Sequence, residues 1–276
     1  MKIVSDSIWK KLVDGHHDQS ARARRANGRN DDDQWGPISS LFLADPLRTH
    51  DQVLDRISRG IDLDTSIIDV GGGAGRYALP LALKCRHVTV IEPSPAMCRS
   101  LEEQAEDSGI SNISVVQSSW EDVNIDPTDV VLCSHVAGRT REVQEFLKRL
   151  QDHARRNVIL VESMASPQAA FGEFWEKVYG EKRINLPAIP ELMAVLWEMG
   201  AFPSLEMLEP SPIRVVPTRQ GALALLRKIL FIRTGNANDA VLEDCFDQLT
   251  EKRPDGYALK NAAPRREGLI QWRTGD

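Results

Sequence analysis

An α/β fold, with a parallel sheet wrapped by helices on both faces, is predicted by three features of this sequence. Between about residues 65 and 162, strand-like and helix-like segments alternate. Within them, Ile67-Ile68-Asp69-Val70-Gly71-Gly72-Gly73-Ala74-Gly75-Arg76-Tyr77 joins an apolar strand to a glycine-rich turn and then to a helix. The 276 residues suffice for one doubly wound domain plus a sizeable addition. Parallel neighbours need crossovers of a dozen or more residues, and the intervening helices supply them.

The elements follow in order. Residues 1–45 are expected to form a helical lid or loop over the domain. A short helix over 5–12 carries Ile8, Trp9 and Leu12 on one side, and Gly15-His16-His17-Asp18 is expected to end or break it. Adjacent histidines point apart on a helix and no spaced third ligand follows, so no metal is expected. Arg22, Arg24, Arg25 and Arg29, followed by Asp31, Asp32 and Asp33, read as a solvated loop. A helix over 46–60 sets Leu47, Val53, Leu54 and Ile57 at helical spacing and stops at glycine.

The core, 46–162, then takes strands near 66–70, 87–92, 112–117, 128–133 and 157–162. Helices near 75–84, 95–108 and 140–155 separate them, the last with Val143, Phe146, Leu147 and Leu150 as its apolar stripe. Across 163–276 the rhythm changes. Helices are expected at 171–179, 190–199, 219–233 and 238–252, with short strands at 204–209 and 213–216 and a terminal strand at 269–273. About fifty residues separate the two strands that could close the sheet, so the helices between them form an insertion able to cover a substrate mouth.

The chemistry starts at the glycine turn. Its glycines let the backbone take positive φ and lie against a ligand, and the first amides of the next helix point at that ligand. This is a nucleotide-cofactor loop. Gly73-Ala74-Gly75-Arg76-Tyr77-Ala78 has the Gly-x-Gly-x-x-Ala spelling of dinucleotide sites. The chain lacks a Tyr-x-x-x-Lys pair, since Lys182 stands only three residues after Tyr179, which weighs against a nicotinamide oxidoreductase. Glu92 ends the second strand about twenty residues after the turn, where a carboxylate can accept from both ribose hydroxyls.

Asp69-x-Gly71-x-Gly73-x-Gly75, Glu92-Pro93-Ser94-Pro95-Ala96-Met97 and Ser134-His135-Val136 together resemble class I S-adenosylmethionine-dependent methyltransferases, most of all small-molecule enzymes. The resemblance covers roughly 46–162 plus the terminal strands. It implies a Rossmann-like seven-stranded sheet of order 3-2-1-4-5-7-6 and S-adenosyl-L-methionine as methyl donor. It places Gly71, Gly72, Gly73 and Gly75 against the cofactor, Asp69 toward the ammonium of its methionine moiety, and Glu92 on the ribose. Pro93 and Met97 become the apolar faces of an adenine slot, although Met97 also suits the core of a helix capped by Ser94. The family usually has an acid after strand three for the adenine amino group. Here Ser119 stands in that place, leaving the contact to Ser119 or Glu121, with Trp120 at the adenine edge or in the core.

Strands of such sheets bind ligands beyond their carboxyl ends, which puts Ser134 and His135 at the reactive end. His135 suits a general base near neutral pH, or a residue that hydrogen-bonds backbone or lines the methionine pocket. The Asn-Pro-Pro-Tyr-like motif of amino-methylating enzymes is absent. Arg139 and Arg141 follow, as contacts for an acidic substrate or as a solvated helix start.

The net charge of −6 speaks against nucleic acid as partner, because phosphate contact needs a basic surface. The expected acceptor is a small, largely apolar molecule. Four single cysteines, no signal-peptide core and no membrane-length apolar run suit a soluble cytoplasmic protein. RNA or protein methylation and non-catalytic cofactor binding remain the alternatives.

Overall fold

Alternate residues of the central strands point to opposite faces, and each face is apolar. In the computed structural model, which describes residues 4–29 and 43–274, the strands β1 (Ser66–Val70), β2 (His87–Ile91), β3 (Ile113–Val116), β4 (Thr128–Ser134) and β5 (Ala154–Ser163) run parallel. Later strands β6 (Ser204–Met207) and β9 (Glu267–Arg273) complete a seven-stranded sheet of order β3-β2-β1-β4-β5-β9-β6. With β9 antiparallel to β5 and β6, and counting only the strands of this sheet, the order is 3-2-1-4-5-7-6. A hairpin of β7 (Thr250–Arg253) and β8 (Gly256–Leu259) lies outside it.

One face of the sheet, with Ile68, Val70, Val131, Cys133, Val158 and Leu160, packs on helices α1 (Val4–Ala26), α5 (Val143–Asp152) and α7 (Ile189–Glu198). The other face, with Ile67, Val130, Leu132, Ile159 and Val161, packs on α2 (Gln52–Ile57), α3 (Ala78–Ala82) and α4 (Pro95–Asp107). A third core joins α6 (Gly172–Tyr179), α8 (Arg219–Ile229) and α9 (Ala237–Leu249) to the β7–β8 hairpin, built on Phe174, Trp175, Leu226, Leu242 and Phe246. The helical insertion thus has its own apolar interior.

The N-terminal segment departs most from expectation. In place of a short helix broken at Gly15, α1 runs unbroken for 23 residues and takes in Arg22, Arg24 and Arg25. Its buried stripe turns polar halfway along: Trp9 and Val13, then His16, Gln19 and Ser20, then Ala23. Gly15 is a packing device, since a Cβ there would lie 2.7 Å from Ile184 Cδ1. His16 Nδ1–H donates to the Ile184 carbonyl at 2.8 Å, and Gln19 Nε2 donates to the Lys182 carbonyl at 2.8 Å. Burial and the Arg183 guanidinium push His16 down to about 3, which keeps its Nε2 free to accept from Arg183 at 2.8 Å. Hydrophobic periodicity cannot reveal a seam of this kind. Asp31, Asp32 and Asp33 lie outside the described residues.

Smaller differences have local causes. Asp51 caps α2 by accepting from the Val53 and Leu54 amides, so the helix starts at Gln52 and leaves Leu47 exposed. The helix after the glycine turn is shorter than expected, Ala78–Ala82, because the turn itself extends to Tyr77. Residues 213–216 contribute only a bridge, Val216 to Tyr257, and the expected helix 238–252 ends at Leu249, where the chain enters β7.

Candidate active site

The carboxyl ends of β1, β2 and β4 converge on the glycine turn. Gly71, Gly73 and Gly75 have φ of 68°, 57° and 83°, values that L side chains rarely adopt. A Cβ on Gly71 would lie 2.4 Å from Val136 Cγ2, and one on Gly72 would lie 2.7 Å from Asp69 Oδ2. The turn is therefore closed beneath, onto Asp69 and the segment after β4. Beside Gly73 the only neighbour within 4 Å of such a Cβ, among the described residues, is Met97 Sδ, at 4.0 Å. An apolar slot between turn and α4 results.

Glu92 ties β2 to this turn. Its Oε2 accepts from the Gly73 amide at 3.0 Å and its Oε1 from the Ser94 amide at 2.8 Å. Ser94 caps α4 by accepting from the Met97 amide, which fixes Met97 toward the turn, while Pro93 is exposed at the rim. Asp69 is fully buried, its Oδ1 has no hydrogen-bond partner, and burial with the nearby Glu92 carboxylate pushes it up to about 7. An unpaired buried acceptor of this kind suits a cationic group at the turn.

After β3, the Ser119 hydroxyl donates to Asp122 at 2.7 Å and Glu121 is exposed. Trp120 is buried edge-on against His153, 5.1 Å between centroids, with the Arg149 guanidinium 4.9 Å from its ring. Its ring belongs to the core under α5, the second of the two places open to it in the sequence.

Ser134 ends β4, and His135 follows with φ of 58°, a left-handed backbone that turns its ring along the sheet edge. The His135 amide still donates to Val161 at 2.9 Å, so β5 holds it in place. Nδ1 lies 3.6 Å from Glu162 Oε2 and Nε2 lies 2.9 Å from Glu267 Oε1. Burial lowers the His135 pKa, but the Glu162 and Glu267 carboxylates outweigh it and hold the ring above its ordinary value of 6.5. Arg265 completes the group, bonded to Glu267 and, through Nε, to Ser163 Oγ at 3.1 Å.

Sequence reasoning missed Glu162, Glu267 and Arg265. An acid closing an apolar strand, the signal that singled out Asp69 and Glu92, was present at Glu162. Glu267 gave no signal, because it reaches this edge only through the antiparallel pairing of Ser163 with Glu267. Of the two arginines after β4, Arg141 is exposed and pairs with Asp14 at 2.9 Å, whereas Arg139 is half-buried near Glu162. Among the described residues no cluster of His, Cys, Asp and Glu is arranged to hold a metal ion, and no helix is long and apolar enough to cross a membrane. A cavity of about 240 Å³, lined by Ile57, Val130, Ile159 and Leu269, lies toward the amino ends of the parallel strands and apart from this site.

Residues 67–157 match a family described as a methyltransferase domain. The chain is 27% identical over 138 residues to the ubiquinone biosynthesis O-methyltransferase of Rickettsia felis, covering 48% of this chain and 53% of that one. It spans about half the length of the curated relatives it matches. Among solved structures, the YcgJ protein from Bacillus subtilis superposes with a TM-score of 0.57 at 13% identity, covering 82% of this chain and all of that one. A SAM-dependent methyltransferase from Thiobacillus denitrificans, in complex with S-adenosyl-L-homocysteine, gives 0.52 at 13% identity, covering 84% and 94%. At such identities the likeness to these structures concerns the fold.

Proposed function

We propose that this chain, whose residues 67–157 match a methyltransferase domain, transfers a methyl group from S-adenosylmethionine to a small-molecule acceptor by in-line displacement. The observation that carries this reading is the bond from the Gly73 amide to Glu92, which brings the acid of β2 onto the glycine turn beside the Met97 slot. Glu92 would hold the ribose hydroxyls, Met97 and Pro93 the adenine, and Asp69 the charged methionine end. Ser119 or Glu121 would take the adenine amino group, and Ser134 with His135 would border the methyl. The bound cofactor supplies a sulfonium-activated methyl carbon. The protein's part is to hold the acceptor atom about 3–3.5 Å from that carbon and to keep water out.

The acceptor reading rests on two supports. The O-methyltransferase relatives act, by their names, in ubiquinone biosynthesis, a small-molecule pathway. The helical insertion, with a core of its own, brings α6 and Tyr179 against α1, where Asn27 donates to the Tyr179 hydroxyl at 3.1 Å. All four cysteines are buried and unpaired, which suits the reducing cytoplasm.

Titration calorimetry with S-adenosylmethionine, S-adenosylhomocysteine and NAD tests the cofactor. Binding of the first two without NAD is expected. NAD binding alone would hand the turn to an oxidoreductase. Cofactor binding with no transfer to any small molecule, RNA or protein would favour the non-catalytic reading.

A further inference from the structure

Resting on the methyl-transfer reading, the residues at the acceptor side of the sheet edge bear on what kind of molecule is methylated. Glu162 is the last but one residue of β5, and β5 lies beyond β4 from the glycine turn. Its side chain is nine-tenths buried. Its two oxygens differ sharply. Oε2 faces His135 Nδ1 at 3.6 Å, while Oε1 is out of solvent contact and has no hydrogen-bond partner among the described residues. A buried carboxylate oxygen left unpaired is costly, so the position is suited to a donor brought by a ligand.

The surrounding charges are held by different elements. His135 follows β4, Arg139 lies on the 3-10 turn after it, and Glu267 and Arg265 come from the start of β9 and the residues just before it. Cys133 of β4 also faces Glu162, and burial keeps that thiol protonated. His135 meets a carboxylate at each ring nitrogen, and although the Arg265 guanidinium also lies 3.0 Å from Nε2 and opposes its charge, the carboxylates prevail and favour the imidazolium, which has no lone pair with which to take a proton. Glu162 Oε1 has one.

We propose that Glu162 is the residue that receives the acceptor's proton, and that the acceptor is protic: an alcohol, phenol or amine that docks its O–H or N–H on Oε1. The lone pair of the acceptor atom forms the new bond to the methyl carbon. The carbon–sulfur bond breaks with its electron pair remaining on sulfur, and the sulfonium becomes a neutral thioether. The acceptor's hydrogen passes as a proton to Glu162 Oε1. Attack places positive charge on the acceptor atom, which acidifies its hydrogen, and Glu162 Oε1 accepts that hydrogen as the charge develops. His135 is a positioning residue here: its Nδ1, 3.6 Å from Oε2, engages that oxygen and leaves Oε1 for the acceptor.

Full-length protein is compared with Glu162→Gln and Glu162→Asp. In ligand-free protein, NMR of the His135 ring protons is expected to show its titration moved to lower pH by Gln and largely restored by Asp; an unmoved titration overturns the proposal. S-adenosylhomocysteine affinity, by calorimetry, is expected unchanged in Glu162→Gln. Absence of binding in the parent protein would instead sink the cofactor reading, leaving the His135 titration to be judged separately. Labelled S-adenosylmethionine is then offered with alcohols, phenols, amines, thiols and enolisable ketones. Transfer to oxygen or nitrogen, with kcat falling about a hundredfold or more in Glu162→Gln and KM changing less, is expected. Transfer only to a thiol or to carbon, or a Gln variant at the parent rate, overturns it.

Discussion

Asp69 sits sealed beneath the glycine turn, and its burial beside Glu92 has a consequence for stability. Its folded pKa, about 7, exceeds the ordinary 3.8, so the ionised form is disfavoured by folding. Stability is then fully present below pH 3.8 and is lost as pH rises through about 7. Asp69→Asn is expected to melt above the parent protein at pH 8, with the difference gone by about pH 4. The same variant should bind S-adenosylmethionine about tenfold or more weakly, since a charge-assisted contact is worth about 1.5–3 kcal/mol. His135 and Glu267 behave as an ion pair. Burial opposes both charges, yet the pairing raises His135 above 6.5 and lowers Glu267 below 4.5. Their stabilisation is lost as pH rises through the raised His135 value, and again as pH falls through the lowered Glu267 value. Denaturant titrations of Glu267→Gln should therefore show the largest loss between pH 4.5 and 6.5, shrinking on either side.

Among the elements, α1 shows how a helix can be anchored without a continuous apolar stripe. Trp9 is fully buried and its Nε1–H donates to the Thr140 carbonyl at 2.8 Å. Trp9→Ala should cost about 3–5 kcal/mol in chemical denaturation. Farther along, Gly15→Ala removes a helix-interior glycine, a gain of about 1 kcal/mol. The atom it would crowd is the tip of the flexible Ile184 side chain, so a raised melting temperature is expected. Gly15→Phe cannot be accommodated by that tip and should lower it. The glycine looked like a break in the sequence because its partner, Ile184, is nearly 170 residues away. The helix's polar half, His16, Gln19 and Ser20, reads as solvent-facing until the 182–184 segment is laid against it. The strands were legible for the opposite reason: most buried residues of β1, β4 and β5 are apolar, and the buried acids Asp69 and Glu162 stand at or next to their carboxyl ends.

For the molecule as a whole, three apolar cores share the described residues, two across the sheet and one inside the insertion. Few buried apolar residues join the third to the others, so it should open at lower free energy. Hydrogen exchange read by mass spectrometry is expected to show α8 and α9 exchanging before β1 and β4. Phe246→Ala, which removes a fully buried ring, should speed exchange in α8 and α9 while sparing the central strands.

The alternation of strand and helix, the glycine turn and the acid of Glu92 were settled by the sequence, because local periodicity and backbone freedom are properties of neighbouring residues. The same holds for the cofactor class, whose residues lie within about 70 positions of one another. Only the tertiary structure could bring Glu267 and Arg265 to His135, since they lie 132 and 130 residues on and arrive through antiparallel β9. It likewise turned Gly15 from a break into a contact and gave Trp120 to the core. A charge network depends on which strand ends share an edge, and that is decided by the order of the sheet.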